Sequence, residues 1–392
     1  MKRRDFIFGT AAAATGAAIL PNLWGCKKDD EVVVDQIQHF KYLEVSGTNY
    51  EVGKQIGSHF KNQILGTHMG MGNLITDLHN AVQQAPEIFY TPFVEAAQNV
   101  FPDYVDEIQG IADGCGISFK DVMIPNILME IAYLAKELSG GKISIPIGNL
   151  GCSSVAYSVN GKQFLSHNED LFTSFLNGMY VLKISVPGKP QIINLSYPGM
   201  LSGIPPGMNE AGIVQSGNDI CGLHIEQTVP LVFHFRSVLD ATSLDDAIAR
   251  ATITQRSRTM THNIGSMNEN KIVSVEAAPS KYQTHDVDGF FVHTNHFILP
   301  EMLDIEIDED SLPSSVSRFN ELTSESNGYV DKPDQVKSEL FTQFLSSHNG
   351  EYCPCVHNNH DASTLAHAVF DFNTRDMRLY YSNPCLGNLK VY

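Results

Sequence analysis

Residues 149–170 read Asn-Leu-Gly-Cys-Ser-Ser-Val-Ala-Tyr-Ser-Val-Asn-Gly-Lys-Gln-Phe-Leu-Ser-His-Asn-Glu-Asp. Ser153 to Val159 is short, apolar and rich in β-formers, which predicts a strand. Asn160-Gly161 follows and favours a two-residue hairpin, because a type I′ turn needs positive φ at both central residues. Lys162 to His167 then returns as the partner strand. Pairing Val159 with Lys162 sets the register and places Cys152 opposite Glu169, with Asp170 one position beyond. A thiol at the head of a strand, with carboxylates brought to it by a tight turn, suits a nucleophile with an orienting partner. A buried small cysteine beside a solvated acidic end would look the same, and the hairpin alone does not separate the two.

Upstream, Tyr42 to Val45 reads as a short strand. Thr48-Asn49-Tyr50-Glu51 is a capping box, in which hydroxyl and carboxylate each satisfy a free backbone donor. The helix it opens carries Gly53 and Gly57 on one face, at a propensity cost of roughly 1 kcal/mol each, so a close packing contact is expected there. From Asn73 to about Glu137 apolar residues recur at helical spacing, as in Phe101, Tyr104, Val105, Ile108 and Ile111. Asp113-Gly114-Cys115-Gly116 ends one helix and Ser118 to Asp121 starts the next. Ser139-Gly140-Gly141-Lys142 then begins a loose connection that ends at Gly151.

Downstream, the chain turns to strands at Met179–Val186, Gln191–Leu195, Ile213–Ser216, Asn263–Ser266, Lys271–Ala277 and Phe290–Thr294. Gly207 to Gly212 reads as a turn. Leu231 to Ala251 reads as two short helices, and Ser314–Leu322 and Asp334–Leu345 as two more. Thr364–Phe372 and Arg378–Ser382 close the chain as a hairpin. Antiparallel hairpins with helices in separate sequence clusters predict a layered α+β fold.

The 392 residues, 43% of them hydrophobic, suffice for a substantial core. The formal charge of −18 excludes a nucleic-acid partner, whose phosphates it would repel. The first 26 residues read as a targeting segment: Lys2-Arg3-Arg4-Asp5-Phe6-Ile7 is twin-arginine-like, an Ala-rich apolar run follows, and Leu23-Trp24-Gly25-Cys26 resembles a lipobox. Cys26 is therefore the expected lipid anchor, residues 27–41 the tether, and the cell envelope or periplasm the expected location, with no other membrane contact. The other six cysteines are too scattered for a disulfide scaffold, and Cys353-Pro354-Cys355 is too tight for a disulfide. His293 and His296 with His357 and His360 have the chemistry of a zinc set but not its helical spacing. No metal and no cofactor are expected.

The Gly151-Cys152 junction and the Asn-Glu-Asp after the hairpin resemble the acyl-coenzyme A:6-aminopenicillanate acyltransferase family. So do Tyr-Glu-Val-Gly-Lys-Gln-Ile-Gly at 50–57, Asn126, the Met-Asn-Glu-Ala-Gly block at 208–212, and His293-Thr294-Asn295-His296. These are autoproteolytic amidohydrolases and acyltransferases of the N-terminal-nucleophile (Ntn) class, peptidase family C45, distantly related to choloylglycine hydrolases. The resemblance runs from about Leu43 to the C-terminus. It implies a four-layer αββα sandwich in which 42–151 is a helical pro-segment and 152–392 the catalytic core. After cleavage the two would remain as α and β fragments of the same chain.

It further implies that Cys152 cuts the Gly151–Cys152 bond and is then the N-terminal nucleophile. An α-amine, with a reference pKa of about 7.7–8.0, can take the thiol proton at neutral pH. By the same resemblance Asp170 is the carboxylate near the nucleophile, although hairpin parity favours Glu169 and would need a bulge to bring Asp170 round. Asn295 would donate to an oxyanion hole, Arg318 would orient the carboxylate or bind substrate charge, and Asn218 is a second oxyanion or pocket residue. Asn168 and Glu169 would face the substrate, a small acyl amide. Asn168 stands where choloylglycine hydrolases carry an Arg, which disfavours a bile salt. Alternatives are an ester or lipid deacylase of the same fold, a catalytically silent ligand-binding lipoprotein, and a metal-dependent hydrolase.

Overall fold

A computed structural model describes residues 38–140, 151–357 and 362–392. The targeting segment with Cys26, most of the expected tether, the connection 141–150 and His360 lie outside the described residues.

The central hairpin forms as its sequence dictates. Strands β2 (Ser153–Val159) and β3 (Lys162–Phe172) pair antiparallel from Val159↔Lys162 to Ser153↔Asn168. The turn residues Asn160 and Gly161 have φ of 50° and 80°, as type I′ requires. β3 runs five residues past the expected end because its other edge is paired. The strand that pairs there, β12 (Ala362–Asp371), carries a register shift between Thr364 and Ala366.

Two sheets result. The six-stranded sheet has the order β11-β2-β3-β12-β13-β14, with β11 at Gly289–His293, β13 at Asp376–Tyr381 and β14 at Leu389–Val391. The eight-stranded sheet runs β1-β4-β5-β6-β7-β8-β9-β10. Its strands are Lys41–Ser46, Tyr180–Ser185, Ile192–Ser196, Gly207–Asn209, Ile213–Asp219, Met260–Ser266, Lys271–Ala277 and Tyr282–Asp286. Helices α1 to α7 span Asn49–Gly70, Asn73–Gln84, Pro86–Phe89, Thr91–Val100, Pro102–Cys115, Phe119–Asn126 and Leu128–Leu138. Leu231–Val238 and Leu244–Ala251 are α8 and α9, and Leu312–Asn327 and Ser338–Leu345 are α10 and α11.

Side-chain alternation along β2 and β3 makes the layers. Ala156 and Leu165 point inward, where they meet Val181, Leu195 and Val214 of the other sheet. Val155, Tyr157 and Phe164 point outward against Phe341 and Phe344 of α11. On the far side α1 and α5 cover Tyr180, Leu182 and Ile184 through Val52, Ile56, Phe60, Ile108 and Ile111, while α8 and α9 cover Val273 and Val275. The result is the four-layer αββα sandwich. The N-terminal helical segment is not a separate body, since β1 is a parallel partner of β4 within the larger sheet.

The capping box at Thr48 is present, with the Thr48 N–H donating to Glu51 at 2.8 Å. Gly53 and Gly57 are required by close packing: a Cβ would stand 1.9 and 2.2 Å from the carbonyl oxygens of Glu107 and Ile111 on α5. Three expectations are corrected. Gly207–Asn209 is the short strand β6, and only the residues after it turn, with Gly212 at φ 79°. The expected helix at Asp334 breaks into a 3-10 turn, Pro333–Gln335, before α11, because Pro333 suits only a first turn. The polar edge strand β10, Tyr-Gln-Thr-His-Asp, shows no hydrophobic alternation, so its sequence does not announce a strand.

Candidate active site

Period-two alternation sorts the residues around Cys152 onto two faces. Cys152, Ser154, His167 and Glu169 lie on the face of β2 and β3 that meets the larger sheet. Ser153, Asn168 and Asp170 lie on the face covered by α10 and α11. The Cys152 thiol is 3.5 Å from Glu169 Oε1. Tyr197 donates its hydroxyl to the same oxygen at 2.5 Å, and His167 Nε2 lies 3.3 Å from Glu169 Oε2. His167 Nδ1 in turn meets the Ser154 hydroxyl at 2.8 Å. Parity therefore holds for Glu169. Asp170 is not brought round, since the irregularity falls in β12 and not in β3. The Asp170 carboxyl makes no hydrogen bond to the Cys152 thiol, and the Asp170 backbone N–H only opposes the rise in the thiol pKa.

The Asp170 carboxyl takes the Thr364 hydroxyl at 2.6 Å on Oδ1, and its Oδ2 is buried without a hydrogen-bond partner. Burial raises its pKa to about 7; Arg318 and the Thr364 hydroxyl pull it down, and Glu169 pushes it up again. Burial also holds the Cys152 thiol well above its ordinary range, and the Glu169 and Asp170 carboxylates add to this. In the intact chain this sulfur is a protonated thiol that needs a base before it can attack.

Arg318 reaches the junction from α10, fully buried. Its Nη1 donates to the Cys152 carbonyl and the Ser153 hydroxyl, both at 2.8 Å, and its Nη2 to Asn295 Oδ1 at 2.7 Å. Asn295, just past β11, is held by its backbone N–H on Ser315 Oγ (2.7 Å) and by Nδ2 on the Asp219 carbonyl (2.8 Å). These two side chains wall Gly151: a Cβ there would stand 2.1 Å from Asn295 Oδ1 and 2.6 Å from Arg318 Nη2. Only glycine fits between them without displacement. Asn218, on β7, accepts from Ser154 and Asn263 at 2.8 and 2.9 Å, and its Nδ2 is a buried donor with no partner.

Asn168 is placed against expectation. Its Nδ2 donates to the carbonyls of Leu345 and Pro354, each at 2.8 Å, and its Oδ1 lies 2.9 Å from His367 Nδ1. It is a tether from β3 to the end of α11 and the loop beyond, with both of its amide protons committed. Sequence reasoning gave no role to His167 or Tyr197. Period two from Glu169 could have found His167; Tyr197 arrives only through packing. Asn126, named by resemblance alone, clamps the Tyr197 turn: its amide donates to the Gly199 carbonyl at 3.2 Å and accepts from the Leu201 N–H at 2.9 Å.

Among the described residues, the histidines weighed for zinc do not form one set. His293 lies 2.8 Å from Glu276, and His296 lies 2.7 Å from the Ser315 hydroxyl. Cys152, His167 and Glu169 do put ligand atoms within 4.8 Å of one another, and among the described residues so do His348, Cys355, His357 and Cys385.

A family model described as acyl-coenzyme A:6-aminopenicillanic acid acyl-transferase matches residues 158–385. The chain is 25% identical over 385 residues to a beta-alanyl-dopamine/carcinine hydrolase of Drosophila melanogaster, covering 90% of this chain and 95% of that protein. It is 25% identical over 353 residues to the 40 kDa form of the acyl-coenzyme A:6-aminopenicillanic-acid acyltransferase of Emericella nidulans, covering 88% and 93%. Among solved structures it is similar to a variant conjugated bile acid hydrolase from Clostridium perfringens, with TM-score 0.43 and 12% identity over 59% of this chain and 89% of that one. A penicillin V acylase from Agrobacterium tumefaciens is similar with TM-score 0.39 and 12% identity over 59% and 82%.

Proposed function

The chain belongs to the acyl-coenzyme A:6-aminopenicillanic acid acyl-transferase family, and from that premise we propose that it cuts its own Gly151–Cys152 bond and then acts on linear amides. The two similar proteins named for their activities are a hydrolase and an acyltransferase, and hydrolysis is the reading adopted, since transfer needs a second acceptor site. The observation that carries it is the buried cage around Gly151. Gly151 stands against the Asn295 amide and the Arg318 guanidinium with no room for any larger residue, and the residue that follows it carries a thiol in contact with the Glu169 carboxylate.

In the intact chain Glu169 Oε1 takes the thiol proton, and the sulfur adds to the Gly151 carbonyl carbon. The carbon–nitrogen bond then breaks, leaving Gly151 as a thioester and Cys152 with a free α-amine that carries the transferred proton. Water resolves the thioester to a Gly151 carboxylate and restores the thiol. Thereafter the α-amine serves as base, Asp170 Oδ2 is the carboxyl left to receive it, and Asn218 Nδ2 and Arg318 supply donors for the oxyanion. Each such donor contributes about 2.7–4 kcal/mol of transition-state stabilisation. Asn295 does not take the expected donor role, because its Oδ1 faces Gly151 and accepts from Arg318 while its Nδ2 bonds the Asp219 carbonyl; it orients the guanidinium instead. A substrate amide repeats the sequence, forming an acyl-thioester on Cys152 that passes to water.

Purified protein on a denaturing gel should show two fragments, the larger beginning Cys-Ser-Ser-Val, and Cys152→Ala should remain one chain and be inactive on acyl amides. Folded wild-type protein that turns over such amides with residues 151 and 152 still joined refutes the reading. Export and acylation at Cys26 belong to the same proposal; fatty-acid labelling that survives Cys26→Ala removes that part of it.

A further inference from the structure

Behind the active-site wall, His348, Cys355, His357 and Cys385 converge from two loops, and we propose that they form a tetrahedral zinc site that braces that wall. The Cys355 and Cys385 sulfurs are 3.7 Å apart, and the His348 and His357 Nε2 atoms 2.9 Å apart. His357 Nε2 lies 3.2 Å from Cys385 Sγ and 3.8 Å from Cys355 Sγ. Zinc bonds of about 2.3 Å to sulfur and 2.0 Å to nitrogen give tetrahedron edges of roughly 3.8 Å between sulfurs, 3.5 Å between sulfur and nitrogen, and 3.3 Å between nitrogens. The four atoms sit near the corners of such a figure.

Hydrogen bonding does not account for this arrangement. A ring nitrogen offers one proton or one lone pair, yet His357 Nε2 is approached by another imidazole nitrogen and two sulfurs together. A shared cation at the centre satisfies all four, and two thiolates with two imidazoles is a ligand set suited to zinc. The surroundings fit as well. Asn383 Nδ2 donates to Cys355 Sγ at 3.4 Å and to the Val356 carbonyl at 2.7 Å, the kind of outer contact that orients a thiolate ligand. Cys355 is fully buried while Cys385 is exposed, which leaves the ion a path in. Binding releases the two thiol protons, one from each cysteine, as both become thiolates.

The site connects to the chemistry through the backbone between its ligands. Pro354, next to Cys355, takes the Asn168 amide through its carbonyl. Val356 exchanges two bonds with Thr364, each 2.9 Å, and the Thr364 hydroxyl donates to Asp170. A zinc ion would thus join the 346–357 loop to the C-terminal turn and hold Asn168 and Thr364 in place. These are positioning residues, and the ion does not touch the substrate.

The test is metal analysis of the reduced full-length protein after dialysis against zinc and then metal-free buffer. About one zinc per chain is expected, and cobalt should replace it with a sulfur-to-metal charge-transfer band. Cys385→Ser and His348→Ala, both changes at solvent-accessible positions, should lose the ion and the band, while Cys152→Ala should keep both. Chelation should lower the melting temperature of the wild type and leave that of Cys385→Ser unchanged. Wild-type protein that retains no zinc and takes up no cobalt overturns the proposal. So does metal that persists in both surface variants, or metal lost only in Cys152→Ala, which would place it at the nucleophile. A Cys355–Cys385 disulfide as the native state, whose reduction yields no zinc binding, overturns it equally.

Discussion

Two buried arginines are held in opposite ways. Arg236, on α8, sits among carboxylates: Asp240 at 2.6 Å and Glu107 at 3.4 Å. Burial alone would lower its pKa, but Asp240 and Glu107 more than reverse the effect and hold it above its ordinary value. Among the described residues Arg318 has no carboxylate in hydrogen-bond contact. Its donors go to a carbonyl, a hydroxyl and an amide oxygen around residues 151–153, and burial leaves its pKa lowered, with only partial return from Asp170 and Cys152. The first charge is neutralised where it stands and serves the fold. The second is desolvated without being neutralised, so its field remains available to the negative charge that the proposed cleavage would develop at the junction.

The largest effect should come from breaking the paired arginine. Arg236→Met leaves Glu107 and Asp240 buried and uncompensated, a loss of about 3–5 kcal/mol that a denaturant titration would read as a lower midpoint. Arg318→Met strands no buried ion pair and should leave stability closer to wild type. It should slow appearance of the Cys-Ser-Ser-Val fragment by about 100-fold or more, the effect of losing one oxyanion donor. If the two variants exchange these phenotypes, the contrast between the arginines is wrong.

Gly151→Ala sharpens the same contrast, because its new Cβ must displace Asn295 and Arg318 without entering the hydrophobic core. Fragment formation should fall sharply on a time-course gel while circular dichroism stays native. Normal cutting by this variant would show that the cage around the bond has slack.

The last contrast lies in the pH dependence of stability, where the effect is spread over several pH units. Asp170 has a folded pKa of about 7 against 3.8 ordinarily, so between these values the folded state holds a proton that the unfolded chain has lost. Stability from this group is therefore full below about pH 4 and declines as pH rises to about 7. Asp170→Asn should flatten that decline, measured as the denaturation midpoint at pH 4, 5.5 and 7. An unchanged slope would mean that Arg318 neutralises Asp170 after all.

Much of the site was legible where contacts are local. The hairpin turn, its register and the pairing of Cys152 with Glu169 follow from Asn160-Gly161 and from period-two alternation, which act within twenty residues. Parity likewise put Asp170 on the far face, and the structure keeps it there because the register shift sits in β12. Asn295, Arg318 and Asn218 were named through resemblance, and no spacing could have shown that two of them close on Gly151. Asn168 was misplaced because nothing local reveals that the carbonyls of Leu345 and Pro354 consume its amide.

The sequence by itself determined the hairpin, the capped helices, the α+β class and the glycine before the thiol, since backbone torsions and side-chain periodicity are properties of neighbouring residues. Only the tertiary structure decided which charges are neutralised, which buried donors stay unpaired, and that His348, Cys355, His357 and Cys385 meet at one point. Those outcomes depend on how two sheets and two helical layers are stacked, and stacking is set by the summed burial of apolar faces across the whole chain.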